Sequence, residues 1–361
     1  MTPAAVPARY LNNAKQGLPC PECHCPNTIR KGKRRNRMRV LQVYQCNECL
    51  HRFTAGDAGK NKVYPLKAIL ESVSTFNSGH SVSDTQALIR KRLHIHIPER
   101  TISSWIAEHR KLATYSRLRG NGKALFAPSQ IVRSYTLQHR QVYRFEVHQA
   151  KLDMLVHAAN IRGLENLKTY FDTVGPAYPH HLFTSAVERS SKFPADFTPR
   201  ITRKENHATR LAALALPTSP NNKKRHETLQ RFMLLNDSVT VAVEVPVYLT
   251  REDVAYYRAR AFNLSIDAEV ITGHIDFLQI RNGYVHILDY KPEARKEKHA
   301  HVQLTIYALA LARRTDLPLK MFKCAWFDEK DYFEFFPLTG VYPLRCVRHY
   351  VSEMCCSFRC N

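Results

Sequence analysis

Asp276, Asp289 and Lys291 are the residues of this 361-residue chain best spaced to do chemistry together. They lie in residues 273–307, GHIDFLQIRNGYVHILDYKPEARKEKHAHVQLTIY. Two apolar runs there flank Asn282-Gly283. That dipeptide suits a two-residue type I′ hairpin turn, since both central positions need positive φ. With the turn closed there, Leu278 faces Ile287, Ile280 faces Val285, and Asp276 faces Asp289. Opposed side chains in such a ladder stand roughly 5 Å apart at Cβ. Two carboxylates so close, on strands rich in Ile, Leu and Val, repel in a partly dry setting. A raised pKa relieves the repulsion, and so does a hard divalent cation held with substrate phosphate and water. Lys291 points to the same face as Asp289, because strand side chains alternate. Two acids and a lysine converging on one point suit metal-assisted phosphodiester hydrolysis, the ammonium offsetting developing negative charge.

Asp276, Asp289-Tyr290-Lys291 and Gln303-x-x-x-Tyr307 together resemble the PD-(D/E)XK nuclease superfamily. Its RecB-type exonuclease branch shows G-x-x-D, D-Y-K and Q-x-x-x-Y in this order, and the likeness spans about Arg225 to Trp326. The resemblance implies Mg²⁺ or Mn²⁺ held by Asp276, Asp289 and the Tyr290 carbonyl. It implies Lys291 positioning or deprotonating the attacking water, supported by Gln303 and Tyr307. In that branch a histidine before the first strand is a third metal ligand, and His226 stands at that place. Glu244, on a strand reading across Val239–Leu249, is its rival. Some members of the branch carry an iron–sulfur cluster. Here no cysteine lies between Cys49 and Cys324, and Cys355 and Cys356 are adjacent, so no cluster is expected.

The acids must be carried to a polyanion, and the charge balance provides for that. Formal net charge is +23. Residues 1–120 hold 21 Lys plus Arg against 7 Asp plus Glu, which concentrates the surplus at the front. Nucleic acid is the expected partner, since no basic amphipathic helix and no bilayer-spanning run stands out. A second copy of the chain or proteins of a mobile element are further expected partners. Ten cysteines without a secretory leader point to metal or free thiols in a reducing compartment, here a prokaryotic cytoplasm and nucleoid.

Residues 1–19 read as a loose leader. Cys20-x-x-Cys23 and Cys46-x-x-Cys49 then have the spacing of a tetrahedral Cys₄ zinc ribbon over residues 20–56. Between the knuckles, Arg30, Lys31, Lys33, Arg34, Arg35, Arg37 and Arg39 form a run suited to phosphate contact. The ribbon resembles those opening many insertion-sequence transposases. After a linker, Pro65–Phe76, Val82–Leu93 and Pro98–Leu112 read as three helices of a domain over 63–118. Ile69, Val73 and Phe76 form an apolar stripe that Ala87, Leu88 and Ile95 continue. The third helix resembles that of a homeodomain-like helix-turn-helix. The resemblance implies Ile102 and Trp105 in the core and Arg100, Ser103, Ser104 and Arg110 on the DNA face.

Residues 119–222 read as a helical connecting region, with helices over Val142–Phe171 and Asn206–Leu216. His180-His181 lacks further spaced ligands and reads as loop or core rather than as a metal site. A nuclease-like domain follows over 223–361. It opens with a helix and a strand and includes a helix over Ala300–Arg313 with a Leu304, Ala308 and Leu311 stripe. The fold expected is multidomain α+β: Cys₄ ribbon, helical helix-turn-helix domain, and a restriction-endonuclease-like α/β domain with a central mixed sheet. The function expected is a Mg²⁺-dependent DNA endonuclease of a mobile element or restriction-like system. The alternative is a DNA-binding regulator whose nuclease fold has decayed.

Overall fold

The computed structural model describes residues 18–35, 40–54, 63–120, 127–139, 141–185, 188–190 and 193–342. Arg37, Arg39, the leader, the 56–62 linker and the C-terminal cysteines Cys346, Cys355, Cys356 and Cys360 lie outside them. The chain divides into two compact units, Met1–Ile69 and Leu70–Asn361.

The first unit carries a three-stranded antiparallel sheet of β1 (Thr28–Arg35), β2 (Val40–Cys46) and β3 (Arg52–Thr54). So small a sheet encloses almost no apolar core, and it is the cysteine cluster that gathers its two knuckles. Cys20 and Cys49 sulfurs lie 3.6 Å apart and those of Cys23 and Cys46 3.5 Å apart. The residue after each second cysteine, His24 and Leu50, takes a positive φ (59° and 57°), turning the chain back over the sulfurs. Arg30, Lys31, Lys33, Arg34 and Arg35 project from β1 and are exposed.

α1 (Leu66–Asn77) leads into the second unit, followed by α2 (Val82–Leu93) and α3 (Glu99–His109). Ser81 caps α2 through a reciprocal capping box with Asp84. The inward face of α2 is Thr85 and Ile89; Ala87 is exposed and Leu88 and Ile95 only half-buried, so the expected stripe is rotated. α3 buries Ile102 and Trp105 and exposes Arg100, Ser103, Ser104 and Arg110. α4 (Tyr115–Gly120) and α5 (Pro128–Ile131) then approach the large sheet. Four buried polar side chains join these helices to the rest of the unit: Asn236 donates to Ser74 (2.8 Å), and Asn77 donates to Asn236 (2.9 Å) and accepts from Ser116 (3.0 Å).

The expected helix over Val142–Phe171 is corrected by the structure. A hairpin of β4 (Val132–His139) and β5 (Gln141–His148) precedes α6 (Gln149–Ala159) and α7 (Glu165–Val174). Phe145 and Val147 are fully buried while Val142 and Arg144 are exposed, the period of two that a strand requires. The short α8 (His180–Ser185), β6 (Glu188–Arg189) and β7 (Thr202–Arg203) come next, then α9 (His207–Ala215), α10 (Arg225–Asn236), β8 (Thr240–Thr250) and α11 (Arg251–Arg258). β9 (Val270–Arg281) and β10 (Tyr284–Tyr290) form the hairpin, α12 (Ala300–Thr315) crosses over, and β11 (Phe322–Phe327), β12 (Tyr332–Phe335) and α13 (Leu338–Val341) close the fold.

These strands make a nine-stranded mixed sheet in the order β4-β5-β8-β9-β10-β11-β12-β7, with β6 beside β9. β10 and β11 are parallel because α12 returns the chain across the sheet between them. The mixed α+β architecture with its large central mixed sheet is consistent with a restriction-endonuclease-like fold. α12 is buried from Val302 to Ala312 on nearly every face, where the sequence pattern foretells a two-faced helix. β8 is likewise covered on both sides, so its alternation of valines does not divide core from solvent. Fully buried Lys151 donates to the Asp237 carbonyl (2.8 Å) and to that of Leu234, satisfying the C-terminal end of α10.

Candidate active site

Asn282 and Gly283 have φ of 51° and 78°, the pair of positive angles a type I′ turn demands. The register that follows pairs Ile280 with Val285 and Leu278 with Ile287. The ladder holds as far as Phe277 opposite Leu288. One residue beyond, the Tyr290 amide donates to Asp276 Oδ2 at 3.0 Å. The Asp276 carboxylate thereby caps the C-terminal end of β10, and it also meets the carboxyl of Asp289. Lys291 follows directly after β10, where the chain leaves the sheet toward α12. In a β–α–β crossover this strand end is where ligands are met.

The Lys291 ammonium bridges two partners, 2.7 Å from Asp289 Oδ2 and 3.1 Å from Gln303 Oε1. Gln303 in turn donates to the Tyr307 hydroxyl at 2.8 Å, the two being one turn apart on α12. Ser190 is a further partner of that hydroxyl. Gly273 makes room for this row: a Cβ there would lie 2.3 Å from Tyr307 Cε1 and 2.7 Å from Ser190 Oγ. No other amino acid fits without pushing the tyrosine ring aside.

α10 forms the opposite wall. His226 Nε2 lies 2.9 Å from the Tyr290 carbonyl and 3.8 Å from Asp276 Oδ2. Arg225 hydrogen-bonds the Tyr290 hydroxyl at 2.7 Å and pairs with Glu329. Gln230, four residues after His226 and on the same helix face, donates to Glu244 Oε1 at 2.6 Å. Glu244 sits between Val243 and Val245, whose partners are Phe277 and Ile275, so it flanks Asp276 across the sheet. Its φ of 51° is left-handed, a strained conformation for a residue with a side chain, and such strain gathers at functional sites.

The result is a cavity of about 220 Å³ lined by Asp276, Asp289, Lys291, Gln303, Tyr307, His226 and Glu244. The structure therefore brings onto one cavity every catalytic side chain expected from the sequence, together with both candidates for a third ligand. Sequence reasoning missed Ser190, Arg189, Tyr143, His274 and Phe183, which also line it. His274 was within sight as the second residue of G-H-I-D; Tyr143 stacks on it at 3.9 Å between ring centroids. Tyr143 and Ser190 arrive from β5 and the end of β6, and nothing local to their sequence marks them.

Burial dominates the electrostatics. It pushes the Asp276 carboxyl up to about 6, and it pushes Asp289 well above the carboxylate range, with the Asp276 charge adding to the rise. Burial also raises Glu244 to about 7. It opposes the charge on Lys291, but Asp289 and Asp276 outweigh it and hold the ammonium protonated. Burial lowers His226, keeping a neutral ring able to act as a ligand.

The residues fit a divalent cation on one observation. Asp289 Oδ2 is sealed from solvent and receives no well-directed hydrogen bond, Lys291 touching it at ion-pair distance only. A buried carboxylate oxygen without a directed donor suits a hard cation. In the first unit Cys20, Cys23, Cys46 and Cys49 form, among the described residues, the one group of three or more candidate ligands whose atoms all lie within 4.8 Å of one another. Backbone amides, that of Cys49 first, draw the Cys46 thiol down to about 7, whereas the Cys23 and Cys49 thiols, pressed against the other sulfurs, are raised.

Residues 180–332 match the family profile of the PD-(D/E)XK nuclease superfamily. The matched stretch is less than half of the chain; it contains all the expected catalytic residues and begins well before the Arg225 at which the motif resemblance starts. No curated protein and no solved structure matches the chain.

Proposed function

We propose that this protein is a metal-dependent DNA nuclease, brought to its target by its ribbon and helix-turn-helix, in a mobile element or a restriction-like system. The reading rests on one observation: Asp276, Asp289 and Lys291 share a buried cavity within the stretch that matches a nuclease superfamily. Asp276, Asp289 and the Tyr290 carbonyl would hold Mg²⁺ or Mn²⁺, with His226 or Glu244 as the next ligand. Bound there, the ion would supply Lewis-acid polarisation of the phosphate and a bound water more acidic than bulk water.

The chain's own residues do the rest. Lys291, kept charged by Asp289, lays an ammonium where the phosphorane gathers negative charge and orients the water through its remaining protons. Gln303 fixes the direction of that ammonium, and Tyr307 fixes Gln303. His226, hydrogen-bonded to the Tyr290 carbonyl, steadies the turn from β10 into Lys291. The exposed arginines and lysines of β1, and Arg100, Ser103, Ser104 and Arg110 of α3, suit phosphate and groove contact.

Purified protein tests this directly. With Mg²⁺ or Mn²⁺ it cuts duplex or single-stranded DNA, and EDTA stops it. Asp289→Ala abolishes cutting and leaves salt-sensitive DNA binding intact, and Lys291→Ala lowers the rate about 10²- to 10⁴-fold. Binding without cutting by the wild type, across many DNA substrates and both metals, would make the chain a DNA-binding regulator.

A further inference from the structure

A second and larger cavity, of about 550 Å³, adjoins the catalytic one and shares Tyr143 and Glu244 with it. α1, α2, the β4–β5 hairpin and α10 supply its walls, so most of it is built outside residues 180–332. Its volume lies within the roughly 300–1,000 Å³ that engulfs a small organic ligand, room for a short run of nucleotides and not for a paired helix.

The walls divide by chemistry. Arg92, Arg144 and Arg231 stand on it, all exposed, and none is held by a hydrogen bond or ion pair among the described residues. The apolar lining includes Val142, 68% exposed, with Tyr143 at the end that this cavity shares with the catalytic one. Of the acids present, Glu227 is paired with Lys224 at 2.6 Å, Glu244 accepts from Gln230, and burial holds the Glu146 carboxyl above its ordinary value. Guanidinium groups beside an apolar and aromatic lining match a strand whose bases are bare. A duplex keeps the faces of its bases stacked inside and has no use for an apolar lining.

Resting on the nuclease reading above, we propose that this cleft binds a short unpaired segment of the DNA strand to be cut. Arg92, Arg144 and Arg231 meet its phosphates, and Val142 and Tyr143 meet its bases. The strand then passes the Tyr143–Glu244 neck, which delivers the next phosphodiester to Asp276 and Asp289. The helices that the sequence assigns to docking on duplex DNA thus also form part of the path to the site.

The test uses the full chain and a single-stranded oligonucleotide carrying 5-iodouracil, irradiated in EDTA, with adducts located by peptide mass spectrometry. We expect an adduct at Tyr143 that unlabelled single strand displaces and blunt duplex of the same sequence displaces at least tenfold less well. The triple variant Arg92→Ala, Arg144→Ala, Arg231→Ala, three surface changes checked for folding by circular dichroism, loses that adduct. Its salt dependence on single strands becomes shallower by about 2 in log–log slope, three phosphate contacts having gone. With Mg²⁺ it cuts forked DNA with KM raised about tenfold and kcat within twofold of wild type. Adducts confined to β1 or α3, or unchanged cutting of forked DNA by the triple variant, overturn the proposal. A wild type that crosslinks at Tyr143 but cuts nothing retires the nuclease reading and keeps the cleft. One that cuts paired and forked DNA alike, with no Tyr143 adduct, retires the cleft and keeps the nuclease.

Discussion

Asp276 and Asp289 face one another because a tight turn leaves them no other place, and burial makes that pairing unfavourable once both ionise. The sign follows from their raised values. A folded-state carboxyl at about 6, against about 4 unfolded, makes the native state the better proton binder between these two values. Metal-free protein is therefore expected to lose stability as pH rises from about 4 to 7. Asp276→Asn removes one of the two charges and should raise the stability of EDTA-treated protein at pH 8 by on the order of 1–2 kcal/mol while eliminating cutting. Melting curves with and without EDTA check both statements; a variant less stable than wild type in EDTA would contradict the charge argument. Protons and cation also compete for the same oxygens, so the pH midpoint of cutting should fall as Mg²⁺ is raised. Rate profiles at two metal concentrations measure that shift.

At the scale of elements, β9 and α12 are held at a spacing that one glycine permits. Gly273→Ala would put a methyl carbon into the Tyr307 ring and disturb the row from Tyr307 through Gln303 to Lys291. The expected loss is about 1–3 kcal/mol of stability, as for other overpacked cores, with kcat reduced at least tenfold. Tyr307→Phe keeps the ring and drops the hydroxyl, so it should leave the melting temperature nearly unchanged and lower kcat more modestly. If the alanine variant melts and turns over like wild type, the close approach is not limiting. α10 carries a comparable duty on the other wall, with His226 and Gln230 on one face reaching Tyr290 and Glu244.

For the whole molecule, the division into two units separates two kinds of stability. The first unit has a cluster of four cysteines and scarcely any core, whereas the second unit is organised around a nine-stranded sheet. Chelation of a structural zinc should unfold the ribbon and leave the main melting transition of the second unit within a few degrees of its original temperature. The same treatment should weaken DNA binding and flatten its salt dependence, because the basic run of β1 loses its scaffold. Calorimetry and binding titrations on zinc-loaded and chelated protein provide the measure. A single transition that collapses on chelation would mean that the two units melt as one.

What could be read from the sequence was whatever one local rule decides. Asn282-Gly283 needs no distant partner to make its turn, and the turn alone sets the pairing that places Asp276 beside Asp289. The two cysteine knuckles and the four-residue step from Gln303 to Tyr307 are legible for the same reason. Tertiary structure decided what no neighbour in sequence specifies. Val142–His148 joins the sheet because the exposed edge of β8 accepts it, overriding a helical pattern. Burial of α12 on nearly all sides erases the face its sequence suggests, since sheet and helices cover it from opposite directions. Ser190, Tyr143 and Glu244 come to the acids from strands whose pairing partners lie far along the chain, and only the closed sheet gathers them on one cavity.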